Sequence, residues 1–182
     1  MKVSRRAISR LMAPVSVLGM TLALTLVTGG SAYADSPLYE IQRVPPGFPT
    51  LSCLDIKAQD PPGNAQVEEW HCHGGDNQRF HVAPSISRSG LMGDQIFDTS
   101  RRNCLTVPSP NESAVGADVR MAPCIGGDNQ LWTLVQIATG YLIVQTRSNL
   151  CLDARNSSWD DGTHIQQYTC NGTSAQQWRF FT

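Results

Sequence analysis

The sequence predicts an all-β chain closed on itself with threefold internal pseudosymmetry, and three observations predict it. First, the stretch from Cys53 to Phe80 returns as Cys104 to Trp132 and again as Cys151 to Trp178. The spacing holds while the residues drift: the two cysteines of each copy stand 19, 20 and 19 positions apart, and Gln78, Gln130 and Gln176 follow the first cysteine by 25, 26 and 25. Second, short apolar runs alternate with turn formers throughout. Third, no segment sustains a helical period. A unit of this size buries little alone, so three copies must pack together, and closure removes exposed sheet edges.

The chain has 182 residues, and its first 34 read as a cleavable export signal. Lys2, Arg5, Arg6 and Arg10 form a basic start, Val15 to Val27 an apolar centre, and Ala32-Tyr33-Ala34 a small-x-small cleavage motif. Ser4-Arg5-Arg6 has a twin-arginine flavour but reads more simply as part of the basic start. The apolar centre is short for a membrane anchor, and nothing downstream is long enough to span a bilayer. Removing the signal takes the balance from 14 basic against 15 acidic residues to 10 against 15, a net charge of about −5. Without a basic run, neither nucleic acid nor an anionic membrane is an expected partner. Residues 35–182 then form one domain, with repeats at about 38–84, 91–137 and 140–182.

All six cysteines lie in the repeats, two per copy. In an exported protein this reads as three bridges, and six cysteines allow 15 connectivities. Copies that fold alike must each close their own pair: Cys53–Cys72, Cys104–Cys124 and Cys151–Cys170. The rival use of sulfur, a metal held by His71-Cys72-His73, is disfavoured because only the first copy carries those histidines.

In chain order, alternation around Tyr39, Ile41 and Arg43 predicts a strand, ended by a turn at Pro45-Pro46-Gly47 and Pro49. Each copy then has a turn-rich loop between its cysteines and a short strand before the second. Aligned on that cysteine, Val67, Val119 and Ile165 share one position, Glu68, Arg120 and Gln166 the next, and Trp70, Ala122 and Tyr168 one two further on. Alternation places the first row in the core and the other two on the opposite face, which puts two large aromatics outside it. Each copy ends in a glutamine-x-aromatic signature: Gln78 with Phe80, Gln130 with Trp132, Gln176 with Trp178. The aromatic begins a core strand, and the glutamine is expected to hydrogen-bond turn backbone. The connection between copies one and two is the longer, and its surplus near Pro84 to Gly93 reads as an extended surface loop.

The combination of Cys-Leu-Asp, a strand ending in aromatic-x-Cys, and Asn-Gln-x-Trp, three times over, resembles the ricin B-type lectin family, whose fold is the β-trefoil. The resemblance implies a sugar site in each copy built from the aspartate after the first cysteine, the aromatic two before the second, and the asparagine before the glutamine. A carboxylate accepts hydrogen bonds from vicinal hydroxyls, an amide both donates and accepts, and an aromatic ring stacks on the apolar face of a pyranose. Copy one carries the full set in Asp55, Trp70 and Asn77, with Glu68 alongside and His73 near. Copy three carries Asp153 and Tyr168 with Gln166 alongside, but Ala175 stands where the asparagine belongs. Its site is expected to be weaker, with Asn171 or Trp159 as the nearby substitutes. Copy two has Thr106 and Ala122 in place of carboxylate and aromatic and keeps only Asn129, so it is expected to be structural. The bland reading of the aspartates is turn stabilisation, yet in copy two aspartate and aromatic are missing together.

Catalysis is not expected. Glycoside hydrolysis needs two carboxylates facing one bond. Glu68-Glu69 point to opposite strand faces, and Asp160-Asp161 lie in a loop. No nucleophile elbow accompanies the histidines, and no phosphate loop, zinc or calcium motif occurs. With the third copy finishing at the last residues, no attached catalytic domain is expected either. The reading is a secreted, non-catalytic lectin for galactose-type or related glycans, with no cofactor or metal and no assigned oligomeric state. The alternative is a trefoil scaffold that binds protein through the 84–93 segment as an inhibitor or toxin subunit. Asn111, Asn156 and Asn171 begin glycosylation tripeptides.

Overall fold

The computed structural model describes residues 36–43, 51–58 and 60–182. The expected export signal and the turn at Pro45 to Pro49 lie outside them. Twelve strands fall in three groups of four. The first group is β1 (Leu38–Arg43), β2 (Ser52–Ile56), β3 (Ala65–His71) and β4 (Arg79–Ile86). The second is β5 (Met92–Phe97), β6 (Asn103–Thr106), β7 (Arg120–Pro123) and β8 (Trp132–Ile137). The third is β9 (Gly140–Gln145), β10 (Cys151–Ala154), β11 (Thr163–Tyr168) and β12 (Trp178–Phe181). Among the described residues the only helical segments are three-residue 3-10 turns, three of which carry the signature glutamines.

All strand pairings are antiparallel. β1 pairs with β4, β4 with β5, β5 with β8, β8 with β9, β9 with β12, and β12 returns to β1, which closes a six-stranded barrel. The hairpins β2–β3, β6–β7 and β10–β11 cover one end. They meet on the pseudo-threefold axis, where the Val67 amide donates to the Val119 carbonyl at 3.4 Å and the Val119 amide to the Ile165 carbonyl at 2.9 Å. This is a β-trefoil, as the repeat requires.

The repeat also sets the core. Leu54, Leu105 and Leu152, then Val67, Val119 and Ile165, then Phe80, Trp132 and Trp178 are all fully buried. Each such side chain contributes about 1.5–3 kcal/mol through burial. The two tryptophans also donate their indole N–H to the Leu105 and Leu152 carbonyls, at 2.9 and 3.1 Å, so their one polar atom costs nothing when buried. Cysteines pair within copies, with Cα atoms 5.1 Å apart in all three bridges. Each bridge closes a loop of about twenty residues, worth about 3 kcal/mol on the chain-entropy view.

One sequence expectation is corrected. Residues 84–93 are not an extended loop: β4 and β5 pair continuously from His81↔Phe97 to Ile86↔Met92, leaving a tight turn at residues 87–91. Pro84 is tolerated because β4 pairs with β1 only through Arg79 to His81; beyond that, among the described residues, no strand pairs with its other edge, where a missing N–H costs little. The Glu68 row lies on the face opposite the core, as alternation places it, yet much of it is covered: Glu68 and Gln166 are 6% and 7% exposed, and Arg120 is half-buried. The hairpins lean together at the axis, so side chains from neighbouring lobes cover that face.

Candidate functional site

The site grows from one strand pair. In the β2–β3 register Asp55 lies directly opposite Glu68, and Cys53 opposite Trp70. Alternation turns Leu54 and Val67 into the core, so Asp55, Glu68 and Trp70 share the outer face. Glycines 74 and 75 then bend the chain back after β3, and the 3-10 turn Asp76–Gln78 lowers two amides onto Asp55.

Asp55 is held from several sides. Asn77 Nδ2 donates to its two carboxylate oxygens at 2.9 and 3.0 Å, and Gln78 Nε2 donates at 2.8 Å. His73 Nε2 stands 3.5 Å away. Because His73 Nδ1 accepts the Gly75 amide at 3.2 Å, the ring proton belongs on Nε2, facing the carboxylate. Burial nevertheless pushes the Asp55 carboxyl above its ordinary value, outweighing the hydrogen bonds from Gln78 and Asn77. Gln78 does more than tie turn backbone: besides the His71 carbonyl and the His73 amide it grips Asp55.

These side chains line an open cleft of about 500 Å³ formed by Asp55, Lys57, Ala58, Glu68, Trp70, His73, Asn77 and Gly162. Trp70 is half-buried at its wall. Three members, Lys57, Ala58 and Gly162, were not named as site residues from the sequence. Lys57 had a signal, because Arg155 occupies the matching position in copy three and Pro108 in copy two. Gly162 had none, because it comes from the third repeat. Its φ is +85°, and a Cβ there would stand 3.8 Å from Trp70 Cζ3. The neighbouring Asp161 receives the His71 amide at 2.6 Å and faces His71 Nδ1 at 2.7 Å. The first-repeat cleft is thus walled by two lobes.

The third repeat differs. Asp153 and Gln166 sit opposite each other, and Tyr168 is 41% exposed. Gln166 donates to Asp153 at 2.8 Å, Gln176 donates at 3.0 Å, and Arg155 Nε donates to Gln166 at 3.0 Å. Arg155 also pairs with Asp118 at 2.6 Å, so the network is closed by protein groups. Ala175 is buried and offers no amide. Neither expected substitute reaches the site: Asn171 bonds Thr173 in its own turn, and Trp159 stacks on Arg43. In the second repeat Thr106 donates to the Cys104 carbonyl, and Asn129 is tied to the Val107 carbonyl at 2.9 Å. No carboxylate or aromatic stands there. Among the described residues no His, Cys, Asp or Glu cluster is placed to hold a metal, and no helix is long and apolar enough to cross a membrane.

The sequence profile of the ricin-type beta-trefoil lectin domain matches residues 47–178, well over half of the chain. The chain belongs to that family. No curated protein sequence matches it closely enough to count as a relative. Among solved structures this lectin-family chain is similar to a designed three-fold symmetric protein, ThreeFoil, with 28% identity and a TM-score of 0.68 over 80% of this chain and 98% of that one. It is similar to an exo-beta-1,3-galactanase from Clostridium thermocellum at 24% identity and a TM-score of 0.69, over 81% of this chain and 30% of that one. It also resembles the ricin B-like lectin of Macrolepiota procera, solved with lactose, at 16% identity and a TM-score of 0.62 over 82% and 98% of the two chains. The last two likenesses are of fold. Family membership supports a carbohydrate-binding role, in a family that is generally non-catalytic although some members of the fold are fused to enzymes.

Proposed function

We propose that this protein is a secreted, non-catalytic lectin, released by removal of residues 1–34, whose principal sugar site is the cleft of the first repeat. The observation that carries the reading is the meeting of Asp55, Asn77 and Trp70 around one open cleft. Asp55 and the free oxygen of Asn77 receive the vicinal hydroxyls of a galactose-type ring, and the indole of Trp70 covers its apolar face. The Macrolepiota procera neighbour was solved with lactose, which makes a galactoside the first ligand to try. The third repeat, with Asp153, Gln166 and Tyr168, serves as a weaker second contact, and the second repeat is structural.

A shallow site of this kind holds a monosaccharide near millimolar, about −4 kcal/mol. Two unequal sites gain on a multivalent glycan through effective concentration. Retention on immobilised lactose and a glycan array tests the reading, with Trp70→Ala and Asp55→Ala as separate variants. Loss of retention in both is expected; unchanged retention in both removes the site assignment.

One observation favours a second reading, a protein-binding scaffold. Ile86 and Met92, paired at the tip of the β4–β5 hairpin, are 63% and 72% exposed. Replacing both with serine abolishes biological activity under that reading while leaving sugar retention in place.

A further inference from the structure

We propose that Glu68 makes the first-repeat site selective for a sugar that carries a free, protonated amino group, with Asp55 taking the hydroxyls and Glu68 the ammonium. The inference rests on the sugar-binding reading and extends it to the chemistry of the ligand.

The two repeats that keep an aspartate provide an internal comparison. In the third, the residue opposite Asp153 is Gln166, which donates to it at 2.8 Å and is itself held by Arg155. In the first, the residue opposite Asp55 is Glu68, which has no proton to donate to a carboxylate. Like charges placed directly opposite on paired strands destabilise the sheet. Among the described residues no hydrogen bond or ion pair reaches the Glu68 carboxylate, although the residue is 6% exposed and lines the cleft. Burial first, and Asp55 with it, push its carboxyl above the ordinary value, while Lys57 and His164 draw it down. Its oxygens open onto the cleft rather than lying sealed among protein atoms, so they present a ligand with acceptor sites that no protein donor fills. A neutral hydroxyl satisfies one lone pair, whereas an ammonium also offsets the repulsion from Asp55.

A second cleft of about 230 Å³ shares Lys57, Ala58 and Asn77 with the first and is lined by Asp60, Asp76 and Asp98. Lys57 lies in both clefts and opposes an ammonium, but the wider surroundings are acidic on balance. A glycan leaving the first site in that direction runs along carboxylates, which favours amino sugars and opposes uronic or sialic acids.

The test is calorimetric titration of the purified protein with galactosamine, N-acetylgalactosamine, galactose and galacturonate at low salt. Galactosamine is expected to bind about tenfold tighter than its N-acetyl form, the worth of one charge-assisted contact, with galacturonate weakest. Glu68→Gln, which installs the residue the third repeat already holds there, is expected to bring galactosamine and N-acetylgalactosamine within about twofold. Should that variant fail to fold, the wild type still decides, because the galactosamine advantage must shrink as salt is added. Equal affinities for the amine and its acetylated form, or an advantage that survives Glu68→Gln or high salt, overturn the inference while leaving the lectin reading intact. No heat with any of the four sugars refutes both.

Discussion

The guanidinium of Arg43 lies over the indole of Trp159, its central carbon 3.6 Å from the ring centroid. Arg43 is fully buried, pairs with Glu69 of β3, and donates to the Ser158 and Ser174 carbonyls at 2.7 and 3.2 Å. Strand β1 thereby grips the third-repeat loop that carries Asp161 and Gly162 to the first-repeat cleft. A buried ion pair adds little over apolar packing, but removing one partner strands the other charge. Glu69→Ala is therefore expected to destabilise the fold by about 3 kcal/mol, read by chemical denaturation. Trp159→Ala, which releases the loop without stranding a charge, is expected to cost less stability and to weaken sugar retention.

Asp55 links pH to binding and to folding with opposite signs. Its carboxyl is raised above the ordinary 3.8, mainly by burial, and that of Glu68 above 4.5. The charged form accepts the sugar hydroxyls, so retention is expected to fall on acidification at a pH above 3.8, earlier than for a solvated aspartate. A raised folded-state value stabilises the fold at pH below the unfolded value, and that contribution is lost as pH rises through the folded value. Binding and thermal stability measured between neutrality and about pH 4 should therefore diverge, and Asp55→Asn should flatten the acid limb of the binding curve.

Gly162 tests whether the site belongs to two lobes. At a φ of +85° a side chain is strained, and its Cβ would touch Trp70. Gly162→Val is expected to cost about 1–2 kcal/mol of stability and to narrow the cleft. Retention of a galactoside should drop although no first-repeat residue has changed.

The second repeat offers a gain rather than a loss. Gln130 already donates to Thr106 Oγ1 at 3.0 Å, as Gln78 does to Asp55, and Asn129 holds the Val107 carbonyl as Asn77 holds that of Ile56. The double substitution Thr106→Asp and Ala122→Trp is expected to raise avidity for a multivalent galactoside several-fold, checked by surface retention against the single variants.

Much of this protein was legible in its sequence because it is written three times. Spacing alone paired the cysteines, marked Val67, Val119 and Ile165 as core, and placed Trp70 on the face away from that core, since alternation along a strand is local; Asp55 came from the resemblance to the lectin family. What the sequence does not contain is the approach of one lobe to another. Gly162, Asp161 and Trp159 act on the first lobe from about a hundred residues away, and no period links them to it. The hairpin at residues 84–93 was misread for a related reason: proline argues against a strand unless one edge is free, and only the closed barrel says which edges are. Local periodicity is set by backbone geometry and can be counted. Burial of Glu68, and the cleft it lines, come from three hairpins leaning together on the axis, which only the packed chain decides.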